Sequence, residues 1–226
     1  VNSFTWSSDT PVFVFENNLG NGHEHYTAEA ISHEVGHALG LSHDGNSSTG
    51  YYTGHGSGET GWAPIMGVGY YKQLTQWSQG EDNDANNGQD ELAIITGNNG
   101  FGYKTDDHGG DQASATWLAT ADTNVSGAGI IERNTDTDVL AFSTTGGDIN
   151  LSFDEAAIGA NLDMQVDLYN ASQQLIATSN PASELGAALH LNLSAGDYYV
   201  HITGVGQGDP LATGYSDYGS LGQYTV

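Results

Sequence analysis

One short segment limits what this chain can be more than any other feature. Residues 33–44 read HEVGHALGLSHD, which places histidines at 33, 37 and 43. On a helix, His33 and His37 would point the same way, one turn apart, as two ligands of one tetrahedral ion require. Gly40 tolerates the positive φ that ends a helix, so the chain can turn back and deliver His43 as a third ligand.

The same segment also offers a catalytic base. Three neutral imidazoles leave the fourth position of a tetrahedral ion open for water, which is the pattern of catalytic rather than structural zinc sites. Glu34 follows the first histidine directly, where its carboxylate can reach such a water and act as a general base. Because the chain has no cysteine, zinc would be held by histidine and carboxylate rather than by thiolate. The segment therefore predicts a catalytic Zn²⁺ site.

The residues around the motif have a helical period from about 25 to 39. Apolar residues fall in one stripe when successive residues are placed about 100° apart, and such a stripe normally packs against the interior. The two histidines lie on the opposite side of this projection, with the glutamate at its edge. The stripe consists of Ala28, Ile31, Val35, Ala38 and Leu39.

The extended pattern HExxHxxGxxH resembles that of the metzincin metallopeptidases. Asp44, directly after the third histidine, is similar to the adamalysin or reprolysin-like branch. The resemblance implies Zn²⁺ bound by the three histidines, Glu34 as general base and proton shuttle, and hydrolysis of internal peptide bonds in a protein or peptide substrate. The matching residues are His33, Glu34, His37, Gly40 and His43.

Metzincins also have a methionine-containing turn beneath the zinc, and the segment APIMGVGYY at 63–71 resembles it. The resemblance implies that Met66 packs under the three imidazoles without binding the metal. In some branches a tyrosine two residues after the methionine reaches the zinc, but this chain has Val68 there. Tyr70 and Tyr71 are candidates for that role at a different spacing.

The chain ahead of the zinc helix is shorter than the resemblance implies. In metzincins an upper subdomain with a twisted sheet precedes this helix, and here it is expected to be largely missing. TPVFVFEN (10–17) alternates along two faces and predicts a short strand, which corresponds by position to the edge strand of the cleft. With Val1 rather than Met at the start, we expect a processed product or a fragment, whose own cleaved N-terminal portion is a candidate partner.

Residues 117–226 alternate apolar and polar side chains in short runs separated by turn residues. Such runs predict an all-β antiparallel sandwich, with an open meander as the alternative. The polar segment 105–116 is the predicted joint, so the predicted domains are 1–110 and 111–226. The predicted fold class is an α+β metzincin-type catalytic portion, with zinc helix and Met-turn, followed by that sandwich. The runs are DVLAFSTT, DINLSFDE, DMQVDLYNA, QLIATSN, ALHLNLSA, DYYVHITGV and GQYTV.

The second domain resembles the bacterial pre-peptidase C-terminal (PPC) domain. The matching segments are DTDVLAFSTTGGDINLSF, ANLDMQVDLYNASQQLIATS, LSAGDYYVHITGVG and YSDYGSLGQYTV, in that order. The resemblance implies a small β-sandwich appended to secreted peptidases. It is consistent with the metzincin resemblance, because such modules commonly accompany extracellular peptidases.

The charge of the chain excludes several partners. It has 28 acidic and three basic residues, a formal net charge of −25. So negative a surface repels nucleic acid and anionic lipid. No apolar run approaches the roughly 20 residues that a membrane span needs. We therefore expect a secreted, extracellular protein, of bacterial origin by its composition.

Two acidic segments are candidates for Ca²⁺, which prefers oxygen ligands. Asp136 and Asp138 alternate at the mouth of a predicted strand and are the candidate calcium ligands. The segment 79–92 also carries several carboxylates, but their spacing does not match an EF-hand. A solvated acidic loop is the favoured interpretation of that segment.

These observations predict a secreted, zinc-dependent metalloendopeptidase. The alternative is a non-catalytic extracellular protein, structural, adhesive or filament-forming, that reuses the peptidase scaffold. A large acidic surface, an exposed edge strand and a binding-type sandwich all permit this alternative, and self-assembly is the partner interaction expected with it.

Overall fold

The computed structural model describes residues 11–226 and divides them into two units. The first unit holds the residues up to 103 together with 208–216, and the second holds 104–207 and 217–226. These units differ from the predicted domains in the short segment 104–110 and in 208–216. The loop at 208–216 belongs to the first unit although the strands on either side of it along the chain belong to the second.

The helix predicted to carry His33 and His37 is formed. Helix α1 spans Glu24–Leu39 and ends at Gly40, whose φ of 100° is the left-handed conformation that glycine adopts without strain. The Gly40 N–H donates to the carbonyls of Gly36 and His37, which satisfies groups at the helix end.

The predicted apolar stripe of this helix is wrong at three of its five positions. Ile31 and Val35 are exposed, at 46% and 39%, and Ala28 is exposed as well. The buried residues of the helix are Ala30, Gly36, Ala38 and Leu39. Of these, only Ala38 and Leu39 belong to the predicted stripe. The helix is turned this way because Met66 packs directly against Gly36, which brings the histidine side toward the interior.

The rest of the first unit consists of short elements. Strands β1, Trp62–Pro64, and β2, Leu74–Gln76, pair in parallel, and all their residues are buried. Helix α2, Glu91–Ala93, continues as a wider turn at Ile94–Asn98. No helix within residues 11–226 is long and apolar enough to cross a membrane.

The predicted strand at 10–17 is not formed over its described part. Residues 11–15 are irregular, and Glu16–Asn18 form a single 3₁₀ turn. Phe13 and Phe15 are exposed, at 70% and 69%. No described strand pairs with this segment, so its backbone has no ladder of hydrogen bonds to hold an extended conformation. Thr10 lies outside the described residues.

The second unit contains all seven predicted strands and four short ones that the sequence pattern did not reveal. The short strands are β3 Thr116–Trp117, β4 Ala119–Ala121, β5 Asn124–Ser126 and β6 Ala128–Ile131. The predicted strands are β7 Asp138–Thr144, β8 Gly147–Glu155, β9 Met164–Asn170, β10 Leu175–Ser179, β11 Ala187–Leu193, β12 Gly196–Gly204 and β13 Gly222–Thr225.

These strands form a β-sandwich. One sheet has the order β10-β9-β12-β7-β3 and the other β11-β8-β13-β6, while β4 and β5 make a separate hairpin. A single apolar core unites inward residues of both sheets, such as Leu168 and Val200 from the first and Phe153 and Tyr224 from the second. The sandwich is thus confirmed. The one departure from antiparallel pairing is β3, which runs parallel to β7.

Truncating an inward leucine should cost far more stability than truncating an outward one. Leu168 on β9 is 0% exposed, whereas Leu175 on β10 is 50% exposed. We expect Leu168→Ala to lose about 2–5 kcal/mol, because it leaves a cavity, and Leu175→Ala to change the free energy of unfolding by less than about 0.5 kcal/mol. Urea unfolding followed by circular dichroism measures both. Equal losses in the two variants would contradict this assignment of faces.

Candidate metal centre

The structure brings together the three histidines that the sequence selected. One ring nitrogen from each of His33, His37 and His43 lies within 4.8 Å of the other two. His37 Nε2 and His43 Nε2 are 2.8 Å apart. The ring centroids are separated by 4.8, 5.3 and 4.6 Å. The three imidazoles therefore converge on one point, although they come from a helix and from the chain after it.

Hydrogen bonds to the main chain fix the orientation of two of these rings. His33 Nδ1 donates to the Ile65 carbonyl and His37 Nδ1 donates to the Leu41 carbonyl, each at 2.9 Å. A carbonyl can only accept, so in each neutral ring the proton is on Nδ1 and Nε2 presents a lone pair. This is the arrangement that orients histidine ligands in metal sites.

Burial lowers the pKa of His33 and of His43, and the neighbouring imidazoles lower the pKa of His43 further. Both effects favour the neutral rings that a metal ion needs. Three converging imidazoles with no thiolate suit Zn²⁺. The residues present therefore fit the ion that the sequence predicted.

Met66 packs against the helix that carries His33 and His37. It is 0% exposed, and a Cβ built at Gly36 would collide with its Sδ. Its carbonyl accepts from the Asp44 N–H at 2.9 Å, and the preceding carbonyl, of Ile65, holds His33. The methionine turn thus holds both the helix and the segment that carries the third histidine.

A cleft of about 220 Å³ opens beside the histidines. Glu34 lines it together with His33 and His43, so the predicted base and two predicted ligands share one space. Three further polar side chains line it that the sequence analysis did not select or selected only weakly: Glu29, Tyr51 and Tyr70.

The two tyrosines of the cleft differ in their surroundings. The ring centroids of Tyr51 and His43 are 4.2 Å apart. No signal in the sequence marked Tyr51 as a residue of the site. Burial raises the pKa of Tyr70, and the nearby Glu29 and Glu34 raise it further, so its hydroxyl stays protonated. Tyr71 is 74% exposed and does not line the cleft.

The acidic segment 79–92 is not simply a solvated loop, contrary to the favoured interpretation. Asp82 and Glu91 are buried, and so is Asp44, next to the third histidine. Burial raises the pKa of Asp82 to about 6, of Asp44 to about 7 and of Glu91 to about 9. Asn87 Nδ2 donates to Asp44 Oδ1 at 2.8 Å, which joins this segment to the histidine loop.

The two predicted calcium ligands also lie together, in the second unit. Carboxylate oxygens of Asp106, Asp136 and Asp138 lie within 4.8 Å of one another. Asp138 is 0% exposed, and Tyr224 donates its hydroxyl to Asp138 Oδ2 at 2.7 Å, while Oδ1 has no hydrogen-bond partner among the described residues. Such an oxygen-rich group suits Ca²⁺. Sequence reasoning missed Asp106, which belongs to the predicted joint.

A larger cavity of about 400 Å³ in the second unit has no comparable chemistry. Hydroxyl, amide and apolar side chains line it, with Asp148 as the one titratable group among its described lining residues. The smaller cleft is therefore the candidate site, because it alone of the two joins converging imidazoles with a carboxylate.

Comparisons with known proteins give little beyond this geometry. No family model matches the chain, and a search of curated proteins finds no relative. Among solved structures, the chain is similar to the pre-peptidase C-terminal domain of collagenase from Bacillus anthracis. The identity is 19%, the match covers 49% of this chain and 89% of that chain, and the TM-score is 0.34. A TM-score this low does not establish a shared fold, so the fold is assigned from the sheets and the core described above.

Removing one converging imidazole should abolish tight zinc binding. We expect the chain to bind one equivalent of Zn²⁺ and His43→Ala to bind it at least about 100-fold more weakly, since even second-shell changes cost about 10–100-fold. His190→Ala, which alters an exposed histidine of the second unit, is the control and should bind like the unaltered chain. Competition with a chromophoric chelator measures the affinities. Equal affinities in the two variants would exclude this centre.

The carboxylate group of Asp106, Asp136 and Asp138 should make stability depend on pH. Burial raises the pKa of Asp138 to about 7, against about 3.9 for an aspartate in an unfolded chain. The folded state therefore holds the proton more tightly, and the stability that this supplies is present below about pH 4 and lost as the pH rises through about 7. A difference of that size corresponds to at most about 4 kcal/mol.

Calcium should reduce this loss, because a cation offsets the charge of the ionised carboxylates. Thermal unfolding between about pH 4 and 8, with chelator or with about 1 mM calcium, measures the effect. Asp138→Asn should weaken both the pH dependence and the calcium response, whereas Asp154→Asn, at an exposed position, should keep both. Melting curves that are identical with and without calcium would argue against a calcium site at these carboxylates.

Proposed function

We propose that this chain is a zinc-dependent metalloendopeptidase of metzincin type, which hydrolyses internal peptide bonds of proteins or peptides. The observation that carries the proposal is the convergence of three imidazoles, two of them oriented by main-chain carbonyls, beside a cleft that Glu34 also lines. A structural zinc site would close around the ion with a fourth protein ligand. No fourth histidine or carboxylate joins this cluster among the described residues.

Each of the polar residues named below has a proposed role in hydrolysis. His33, His37 and His43 would hold the ion, which when bound polarises the scissile carbonyl and makes a water molecule more acidic. A carboxylate oxygen of Glu34 takes a proton from the attacking water and passes it to the leaving nitrogen. Tyr70, whose hydroxyl stays protonated, can donate a hydrogen bond within the same cleft.

The sandwich is proposed to be a PPC-type accessory module of an extracellular peptidase. Supporting this, the matching segment DTDVLAFSTTGGDINLSF contains β7, and the matching segment LSAGDYYVHITGVG contains β12. We further propose Ca²⁺ at Asp106, Asp136 and Asp138. Such an ion would tie the segment after residue 103 to the first long strand of the sandwich.

Replacing the proposed base should separate activity from metal binding. We expect the 226-residue chain to cleave a denatured protein substrate in the presence of zinc, and a chelator to stop the cleavage. Glu34→Ala should lower kcat by about 10²–10⁴-fold, the usual contribution of a general base, while zinc affinity stays within about threefold because Glu34 is not a ligand. Glu24→Ala, an exposed glutamate at the start of the same helix, is the control.

The outcomes distinguish the proposal from its alternative. Chelator-sensitive cleavage that Glu34→Ala abolishes supports a peptidase. Zinc binding without cleavage of any protein substrate, together with regular assemblies in the electron microscope, would instead support a non-catalytic structural protein built on this scaffold.

A further inference from the structure

Glu29 is a second carboxylate in the cleft beside the histidines. It lies four residues before His33 on α1, so the two side chains project from the same face of the helix. Both residues line the cleft, as does Glu34. The proposed mechanism assigns no role to Glu29.

One oxygen of this carboxylate has a partner and the other has none. Thr75 Oγ1 donates to Glu29 Oε1 at 2.9 Å, which fixes the group against β2. Glu29 Oε2 is buried and has no hydrogen-bond partner among the described residues. A Cβ built at Gly69, which also lines the cleft, would collide with Oε2, so the absence of a side chain at that position leaves room for the carboxylate.

The surroundings of Glu29 lack a fixed cation. The chain has three basic residues, Lys72, Lys104 and Arg133, and none of them lines the cleft. Burial raises the pKa of Glu29, while the Thr75 hydrogen bond and a nearby His25 lower it. An incompletely satisfied, desolvated carboxyl group gains most from a positively charged hydrogen-bond donor.

We propose that Glu29 determines specificity by receiving a lysine or arginine side chain of the substrate next to the scissile bond. The inference rests on the proposed peptidase function and adds a substrate class to it. The cleft, at about 220 Å³, is smaller than the roughly 300–1,000 Å³ of pockets for drug-sized ligands and suits a single side chain. A basic side chain would supply the partner that Glu29 Oε2 lacks, whereas an apolar side chain would leave it without one. The cleft therefore selects basic residues over leucine.

Matched peptides test the selection. Two quenched fluorescent peptides differ only at the residue after the scissile bond, lysine in one and leucine in the other. For the unaltered chain with zinc, kcat/KM should be at least about tenfold higher for the lysine peptide. Glu29→Gln should lower the ratio of the two values by at least about tenfold, and Glu24→Gln, on the exposed start of the same helix, should leave it unchanged. Equal rates for the two peptides, or a ratio that Glu29→Gln does not change, would overturn the inference.

A binding measurement separates this inference from the peptidase function. N-acetyl-lysine amide and N-acetyl-leucine amide are titrated to millimolar concentration against the isotope-labelled chain, with amide chemical shifts as the readout. The lysine compound should shift the resonances of Gly67 and Gly69, which line the cleft, and Glu29→Gln should remove those shifts. This requires neither metal nor turnover. If the lysine compound shifts the resonances of Gly67 and Gly69 but the chain cleaves no peptide, the peptidase proposal alone is overturned. If the chain cleaves both peptides at equal rates and the lysine compound causes no shifts, the role of Glu29 alone is overturned.

Discussion

Two hydrogen bonds from imidazole to main-chain carbonyl hold the candidate site in its shape. The bond from His33 to Ile65 ties α1 to the methionine turn, 32 residues further along the chain. The bond from His37 to Leu41 ties the helix to the reversal that begins at Gly40. Each bond sets which nitrogen carries the proton, so the lone pairs of both rings face one point. His43 completes the cluster to which both rings belong.

Charge is the second constraint on this molecule. With 28 acidic and three basic residues, the chain cannot pair most of its carboxylates with lysine or arginine. Several carboxylates are nevertheless buried, among them Glu91, whose pKa burial raises to about 9, and Asp138, whose pKa it raises to about 7. A buried carboxylate either keeps its proton or meets a cation, since an isolated buried charge is very costly. The protonation of these carboxylates therefore makes the stability of this fold depend on pH.

The accuracy of the sequence-based predictions follows from how local each feature is. Strands β7 to β13 were predictable because alternation with period two puts one set of side chains into a shared core. Strands β3 to β6 were missed, since they are two to four residues long and most of their side chains are exposed. The parallel direction of one strand pair could not be predicted either. The parallel pairing of β3 with β7 depends on where the chain enters the sandwich, which no local pattern encodes.

What the sequence by itself determined is the identity and spacing of the three clustered histidines, the helix that carries two of them, and the alternating strands of the sandwich. These depend on helical and strand periods, which are local. The tertiary structure decided which face of α1 is buried, because small residues such as Gly36 admit Met66 while Ile31 and Val35 stay exposed. It also placed Glu29, Tyr51 and Tyr70 around one cleft and brought Asp106 to Asp136 and Asp138. Such groupings join residues distant in the chain, and only packing in three dimensions sets the distances between them.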